Sequence, residues 1–147
     1  MEVFRLSNEA NMPTREVGFP GYVLYAKNYD NIKIDPRETK TISTGIAILL
    51  KDKRTYMQIV PLQVYTCSFK KNKRKYNELQ EIDLDIRPDI IDAHNQNEIK
   101  ITITNNNYDK VMTRPSYDPN VKMPLAQIIV KRYEIPEIIE ASRRLTW

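Results

Sequence analysis

Ile99-Lys-Ile-Thr-Ile-Thr104 is the stretch on which the fold turns. Ile99, Ile101 and Ile103 alternate with Lys100, Thr102 and Thr104, which is the two-residue period of a strand buried on one face and wet on the other. A helix would need its apolar residues three and four apart. The same period recurs on both sides. Upstream, Ile32 and Ile34 alternate with Lys33 and Asp35, and Ile82, Leu84 and Ile86 alternate with Asp83, Asp85 and Arg87. Ile42, Thr44 to Leu50, Tyr56 to Phe69 and Leu125 to Tyr133 are further β-branched or aromatic runs. Turn clusters separate them: Asn28 to Asn31, Asp35-Pro36, His94 to Asn97, Asn105 to Asn107 and Asp118 to Asn120. Two short segments, 72–80 and 137–144, are the helical candidates, the second following Pro136. Many short strands with little helix predict an all-β sandwich or jelly-roll-like barrel.

Composition bounds the rest. A length of 147 residues with 41% hydrophobic content suits one folded domain and excludes a disordered chain. No apolar run approaches the ~20 residues of a membrane helix. Met1-Glu-Val-Phe-Arg5 lacks the layout of a secretion signal, so a cytoplasmic or nuclear location is expected rather than a secreted or membrane one. One cysteine, Cys67, excludes an intrachain disulfide. With a single histidine beside it, one chain has no dense soft-metal site. A hard ion held by carboxylates and phosphates is the remaining metal chemistry. Three glycines are few for so many turns, so Asn and Asp are expected to carry them.

The net charge of +4 is uneven. Lys70, Lys71, Lys73, Arg74 and Lys75 crowd into six positions, leaving the rest near neutral. Such a run can bind phosphate-rich partners, nucleic acid included, or act as a nuclear import signal. Tyr65, Phe69 and Tyr76 flank it and could stack on bases. A solvated loop explains it equally well.

Several segments, in order, make the chain similar to the dUTPase family over nearly its whole length. They are Arg5-Leu-Ser7, Met12-Pro-Thr-Arg15, Gly21-Tyr-Val-Leu-Tyr-Ala26, Thr44-Gly-Ile-Ala-Ile48, Ile90-Ile-Asp92, Asn97-Glu-Ile-Lys100, Leu125-Ala-Gln-Ile-Ile129 and Ile135-Pro-Glu-Ile138. The resemblance implies a single all-β domain over residues 1–147, with a dUTPase-like jelly-roll or β-barrel sandwich fold. It also implies a homotrimer with a site shared among three subunits. The family's reaction is attack of water on the α-phosphorus of dUTP. It needs a carboxylate to activate water, Mg²⁺ on the triphosphate, and cationic or N–H donors around the phosphates.

The motifs that carry this chemistry are altered. Val23 stands where the family has the Asp on the magnesium side, and reads as a buried strand residue. Leu62, Gln63 and Val64 stand where the family has Arg-Ser-Gly around the phosphates, and leucine does not replace a bidentate arginine. Asp92 matches the water-activating Asp. It is followed by His94, Asn95, Gln96 and Asn97 where the family has Asp, a Tyr that stacks on the deoxyribose, and Arg-Gly. Asp92 reads either as a vestigial catalytic residue or, preferably, as one that closes a hairpin. His94 reads as an exposed turn residue. Pro124 replaces a charged position and removes a backbone donor. The glycine-rich C-terminal arm is missing, since no glycine follows Gly45. Arg143, Arg144 and Trp147 remain as candidate interaction residues, either against a neighbouring subunit, as family C-termini cross between subunits, or in a peptide-binding groove.

The expectation is therefore a non-catalytic dUTPase-fold protein, viral and similar to viral dUTPase-derived proteins. It would act through protein contacts or as a structural component, possibly of the virion. No cofactor is expected, with Mg²⁺ required only if dUTPase activity survives. The alternatives are a degenerate dUTP nucleotidohydrolase or nucleotide-binding protein that uses Asp92, and a nucleic-acid-binding module centred on Lys70 to Lys75.

Overall fold

A computed structural model describes residues 1–28, 32–62, 84–107 and 122–146, together with the backbone of 65–68, 80–81 and 111–112. Gln63, Val64, the run from Lys70 to Lys75, Trp147, all of the helical candidate at 72–80 but Gln80, which is strand, and the turn at 118–120 lie outside the described residues.

The strands in chain order are β1 (Glu2–Arg5), β2 (Thr14–Arg15), β3 (Tyr22–Tyr25), β4 (Lys33–Ile34), β5 (Thr39–Ser43), β6 (Ile46–Leu49) and β7 (Thr55–Pro61). They continue with β8 (Tyr65–Ser68), β9 (Gln80–Glu81), β10 (Leu84–Ile86), β11 (Asp89–Asp92), β12 (Lys100–Asn105), β13 (Val111–Met112) and β14 (Pro124–Arg132). No helix occurs among the described residues. The expected helix over 137–144 is irregular chain instead. Its apolar residues Ile138 and Ile139 are exposed, so no packed face stabilises a short helix there.

The strands form open sheets, so the fold is a sandwich rather than a closed barrel. Their orders are β11-β7-β14-β3-β2, β10-β12-β5, β4-β13-β8-β9, and the pair β1-β6. The alternation in Ile99–Thr104 sets the three-stranded sheet. Ile101 and Ile103 are buried while Thr102 and Thr104 face outward, opposite Thr41 and Thr39. Ile42, Ile86, Ile101 and Ile103 from this sheet meet Leu24, Met57, Ile59, Ala126 and Ile128 from the five-stranded sheet in one core cluster. Each such side chain contributes roughly 1.5–3 kcal/mol on burial.

One turn expectation is corrected. Asn105 is the last residue of β12 and fully buried. Its amide donates to the carbonyls of Ile34 at 3.0 Å and Asp35 at 3.2 Å, tying β12 to the turn after β4. Within that turn Arg37, not Asn or Asp, holds a left-handed backbone at φ 66°, and its N–H donates to the Asn105 carbonyl at 2.8 Å. Gly21, at the entrance to β3, is required for space. A Cβ there would run into the Ile128 carbonyl of β14, so β3 and β14 approach closely only because the side chain is missing.

Candidate functional site

Position along β3 decides what Val23 can do. Leu24 points into the main core, so Val23 and Tyr25 point to the opposite, outer face of the five-stranded sheet. There they pack with Leu62, just past β7, in a second apolar cluster. Val23 is 2% exposed and Leu62 9%. The two positions at which the family resemblance expects an acid for magnesium and an arginine for phosphate thus belong to one apolar cluster with Tyr25.

Gln127 of β14 stands in register between Val23 of β3 and Val60 of β7. It is 7% exposed, and its side-chain oxygen has no hydrogen-bond partner. Pro124 opens β14 opposite Tyr25, at an irregularity in the register, and offers no N–H. The Tyr25 hydroxyl is occupied by Thr14 at 2.6 Å and Glu16 at 3.4 Å, and the Lys122 ammonium sits 5.4 Å from its ring centre. Val23 and Leu62 themselves supply no oxygen ligand for a hydrated Mg²⁺. Among the described residues no group of three His, Cys, Asp or Glu could hold a metal ion.

Asp92 lies elsewhere. It ends β11, the edge strand of the same sheet, opposite Tyr56. Leu62 is six residues further along β7, about 20 Å away at strand rise. A single chain therefore does not assemble Asp92 with the Val23–Leu62 pole. The Asp92 carboxylate accepts the His94 N–H at 3.3 Å, and its carbonyl accepts the Asn95 N–H at 3.0 Å. The expected hairpin is not formed, since β11 and β12 lie in different sheets; Asp92 instead caps the turn that passes between the sheets. His94 is exposed. The Asn95 side chain accepts the Asn97 N–H at 2.7 Å, so it too serves the turn. The Lys53 ammonium reaches the Ala93 carbonyl at 3.5 Å and steadies the turn from the side.

Beside Asp92 is an open hollow of ≈ 310 Å³, lined by Tyr56, Ile90, Asp92 and Tyr133. The Tyr56 and Tyr133 rings lie 5.9 Å apart at 45°. Tyr133 is fixed by its hydroxyl, which donates to the Lys53 carbonyl at 2.9 Å, and by its N–H, which donates to the Arg54 carbonyl at 2.9 Å. Sequence reasoning missed this hollow. The signal was the pair Ile90-Ile91: in a strand only one of two neighbours can face the core, and Ile90 is left 67% exposed.

Arg143 and Arg144 lie in exposed, irregular chain and touch none of these features.

Compared with known proteins, the chain matches no family model and no curated protein by sequence. Its three-dimensional structure does match. A dUTPase from phage phi11 of S. aureus, a D95N mutant described with a structural Mg(II) ion, superposes with a TM-score of 0.70 over 97% of this chain and 96% of its own, at 17% identity. The Staphylococcus bacteriophage 80alpha dUTPase superposes with a TM-score of 0.71 over 99% and 97%, at 15% identity. The chain has the dUTPase fold. The likeness runs through the whole of both phage dUTPase chains' folds. Identity this low speaks for the framework alone, and the chemistry rests on the residues described above.

Proposed function

We propose that this chain is a non-catalytic dUTPase-fold protein that works through protein contacts or as a structural component. The observation that carries the reading is the packed contact of Val23, Tyr25 and Leu62. Phosphoryl transfer from a triphosphate requires cations or N–H donors aimed at the phosphates. A dry cluster at that pole offers none. Asp92 fits the same reading, since one oxygen of its carboxylate caps the turn after β11.

A homo-oligomer, a trimer by the family resemblance, is part of this proposal. The half-buried Val60 and Ile129 join Ile90 and Tyr56 on the outer face of the five-stranded sheet, and a face of that kind suits burial against other copies. A viral origin is proposed from the two phage dUTPases that share the fold. With it comes a place in the cytoplasm or nucleus of a host cell, or in the virion. No helix among the described residues is long and apolar enough to cross a membrane.

The test is pyrophosphate release from dUTP with Mg²⁺, wild type beside Asp92→Ala. No turnover above the variant is expected. Turnover by wild type that the variant abolishes would overturn the proposal in favour of a nucleotidohydrolase built on Asp92. Salt-sensitive binding of single-stranded nucleic acid, lost when Lys70 to Lys75 are neutralised, would make the basic run the functional site instead.

A further inference from the structure

The first strand is lightly held. Among the described residues β1 pairs with β6 alone, Glu2 to Arg5 lying opposite Leu49 to Ile46. Of its side chains only Val3 packs against the main core, partly buried, while Phe4 is 47% exposed and Leu6, just past the strand, 56%. The Lys51–Glu2 ion pair at 3.6 Å is exposed and adds little. On β6, by contrast, Ile46 and Ile48 are buried. A strand with so few buried contacts opens locally at lower free energy than the whole fold.

Gly45 ties the end of β1 to the sheets. Its carbonyl accepts the Leu6 N–H at 2.8 Å, and its own N–H donates to the Glu98 carboxylate at 2.9 Å. The two bonds flank one Cα in the left-handed region, at φ 68°, packed against Ala10 and the stem of Lys27. The direction of the carbonyl is therefore coupled to the hold on the N–H. The same carboxylate oxygen accepts the Ser43 hydroxyl at the end of β5. Thr44 is anchored without Glu98. It is fully buried, and its hydroxyl donates to the Ile99 carbonyl at 2.6 Å. The Ile99 N–H in turn donates to the Ile46 carbonyl at 2.8 Å. These bonds keep β6 beside β12 whatever the charge of Glu98. What Glu98 adds is the setting of Gly45, and through it of Leu6.

Charge governs the strength of that hold. The Ser43 hydroxyl first, then the Gly45 N–H and the charges of Lys100 on β12 and Lys27 after β3, outweigh a partial desolvation and keep the Glu98 pKa below 4.5. Glu9 also feels Lys27, and its carbonyl accepts the Asn28 N–H at 2.9 Å, but its carboxylate holds the Ser7 hydroxyl and not Gly45. A lowered folded pKa gives a hold that is complete above 4.5 and lost as pH falls through the folded value. The neutral acid still accepts a hydrogen bond, but a weaker one.

We propose that Glu98 is an acid-released latch for β1: its carboxylate, through Gly45, sets how often Leu6 and β1 leave β6 while the two main sheets stay packed. Opening bares the edge of β6, and an unpaired edge accepts an extended strand.

The experiment is amide hydrogen exchange on the full chain, read by NMR at low urea concentrations and corrected for the intrinsic effect of pH. Wild type is compared with Glu98→Gln and Glu9→Gln. Glutamine at 98 keeps an acceptor for Gly45 and imitates the protonated acid. At neutral pH the Leu6 and β1 amides should open more often than those of β12, and with a smaller dependence on urea, because a local opening exposes little surface. Glu98→Gln should raise the opening at Leu6 by ~10-fold. Wild type should rise to the variant's level as pH falls below 4.5, with no such step in Glu98→Gln and the step kept in Glu9→Gln. Equal urea dependence for β1 and β12 in the wild type would mean that β1 leaves only with the whole fold, and the latch is overturned. A step that survives in Glu98→Gln, or vanishes in Glu9→Gln, overturns it as well. The urea comparison uses wild type alone, so it decides the question even where a variant does not fold.

Discussion

The outer faces of the two main sheets differ in kind. On the three-stranded sheet the outward residues are Thr102 and Thr104 opposite Thr41 and Thr39, with their hydroxyls paired at 3.1 and 2.7 Å, and Lys100 opposite Ser43. That is a face built for water. On the five-stranded sheet the equivalent face carries Val23, Leu62 and Gln127 at one end, all buried, and Tyr56 with Ile90 at the other. Only the second face coincides with the positions where the family resemblance places its chemistry. The difference teaches that the fold does not impose apolar outer faces. This one follows from the residues that occupy it, Val23, Tyr25 and Leu62 among them.

The contrast breaks most sharply at Val23. Val23→Asp should cost about 3–5 kcal/mol, because the new carboxylate is buried against Tyr25 and Leu62 without a cation. Thr41→Asp on the other face should stay within about 0.5 kcal/mol. Urea denaturation of both variants measures this. Equal, small effects would mean that the Val23 pole is open to water and that the packed-cluster reading is wrong.

A smaller effect is expected at Glu98, which fastens the three-stranded sheet to the turn before β6. Its carboxylate accepts the Ser43 hydroxyl, and the Gly45 N–H at 2.9 Å. The Ser43 bond first, then the Gly45 N–H and the charges of Lys100 and Lys27, lower its pKa below 4.5 against a partial desolvation. The sign follows. A lowered folded pKa gives stability that is present above 4.5 and lost as pH falls through the folded value. Glu98→Gln should therefore cost about 1–2 kcal/mol near pH 7, at the low end for bonds to a charged group because the site is partly exposed. The gap from wild type should close below pH 4.5, as followed by urea midpoints across pH. A gap independent of pH would assign the role to shape alone.

Gln127→Leu sharpens the comparison from the other side. Removing a buried acceptor without a partner should leave stability unchanged or raise it by about 1 kcal/mol. A loss of that size in the assembled protein would show that another copy satisfies the amide. The smallest effect belongs to the threonine face, where Thr102→Val should change the thermal midpoint by no more than about 0.5 kcal/mol supports. A larger loss would make the hydroxyl ladder structural.

Much of this was legible in the sequence. The alternation at Ile99–Thr104 yielded a half-buried strand, because a strand's side chains must alternate whatever the neighbours are. The same rule made Val23 a strand residue beside Leu24. The 137–144 segment misled, because helix propensity in so short a stretch is decided by packing that the sequence does not display. The left-handed backbone at Arg37 was not legible, because it is held by Asn105, sixty-odd positions away in the chain and visible only once β12 reaches β4. The hollow was hidden because its walls come from β7, β11 and the end of β14, which local patterns cannot juxtapose.

By itself the sequence determined which residue types stand at each motif position: valine and leucine where the family resemblance expects an acid and an arginine, and Asp92 without its usual neighbours. Those identities are fixed by covalent order. Only the tertiary structure decided that Val23 and Leu62 share one apolar cluster with Tyr25, that Asp92 lies a sheet's length away from them, and that one outer face is wet while the other is apolar. Such facts depend on long-range strand pairing. They arise when burial of isoleucines scattered through the chain selects one register over all others.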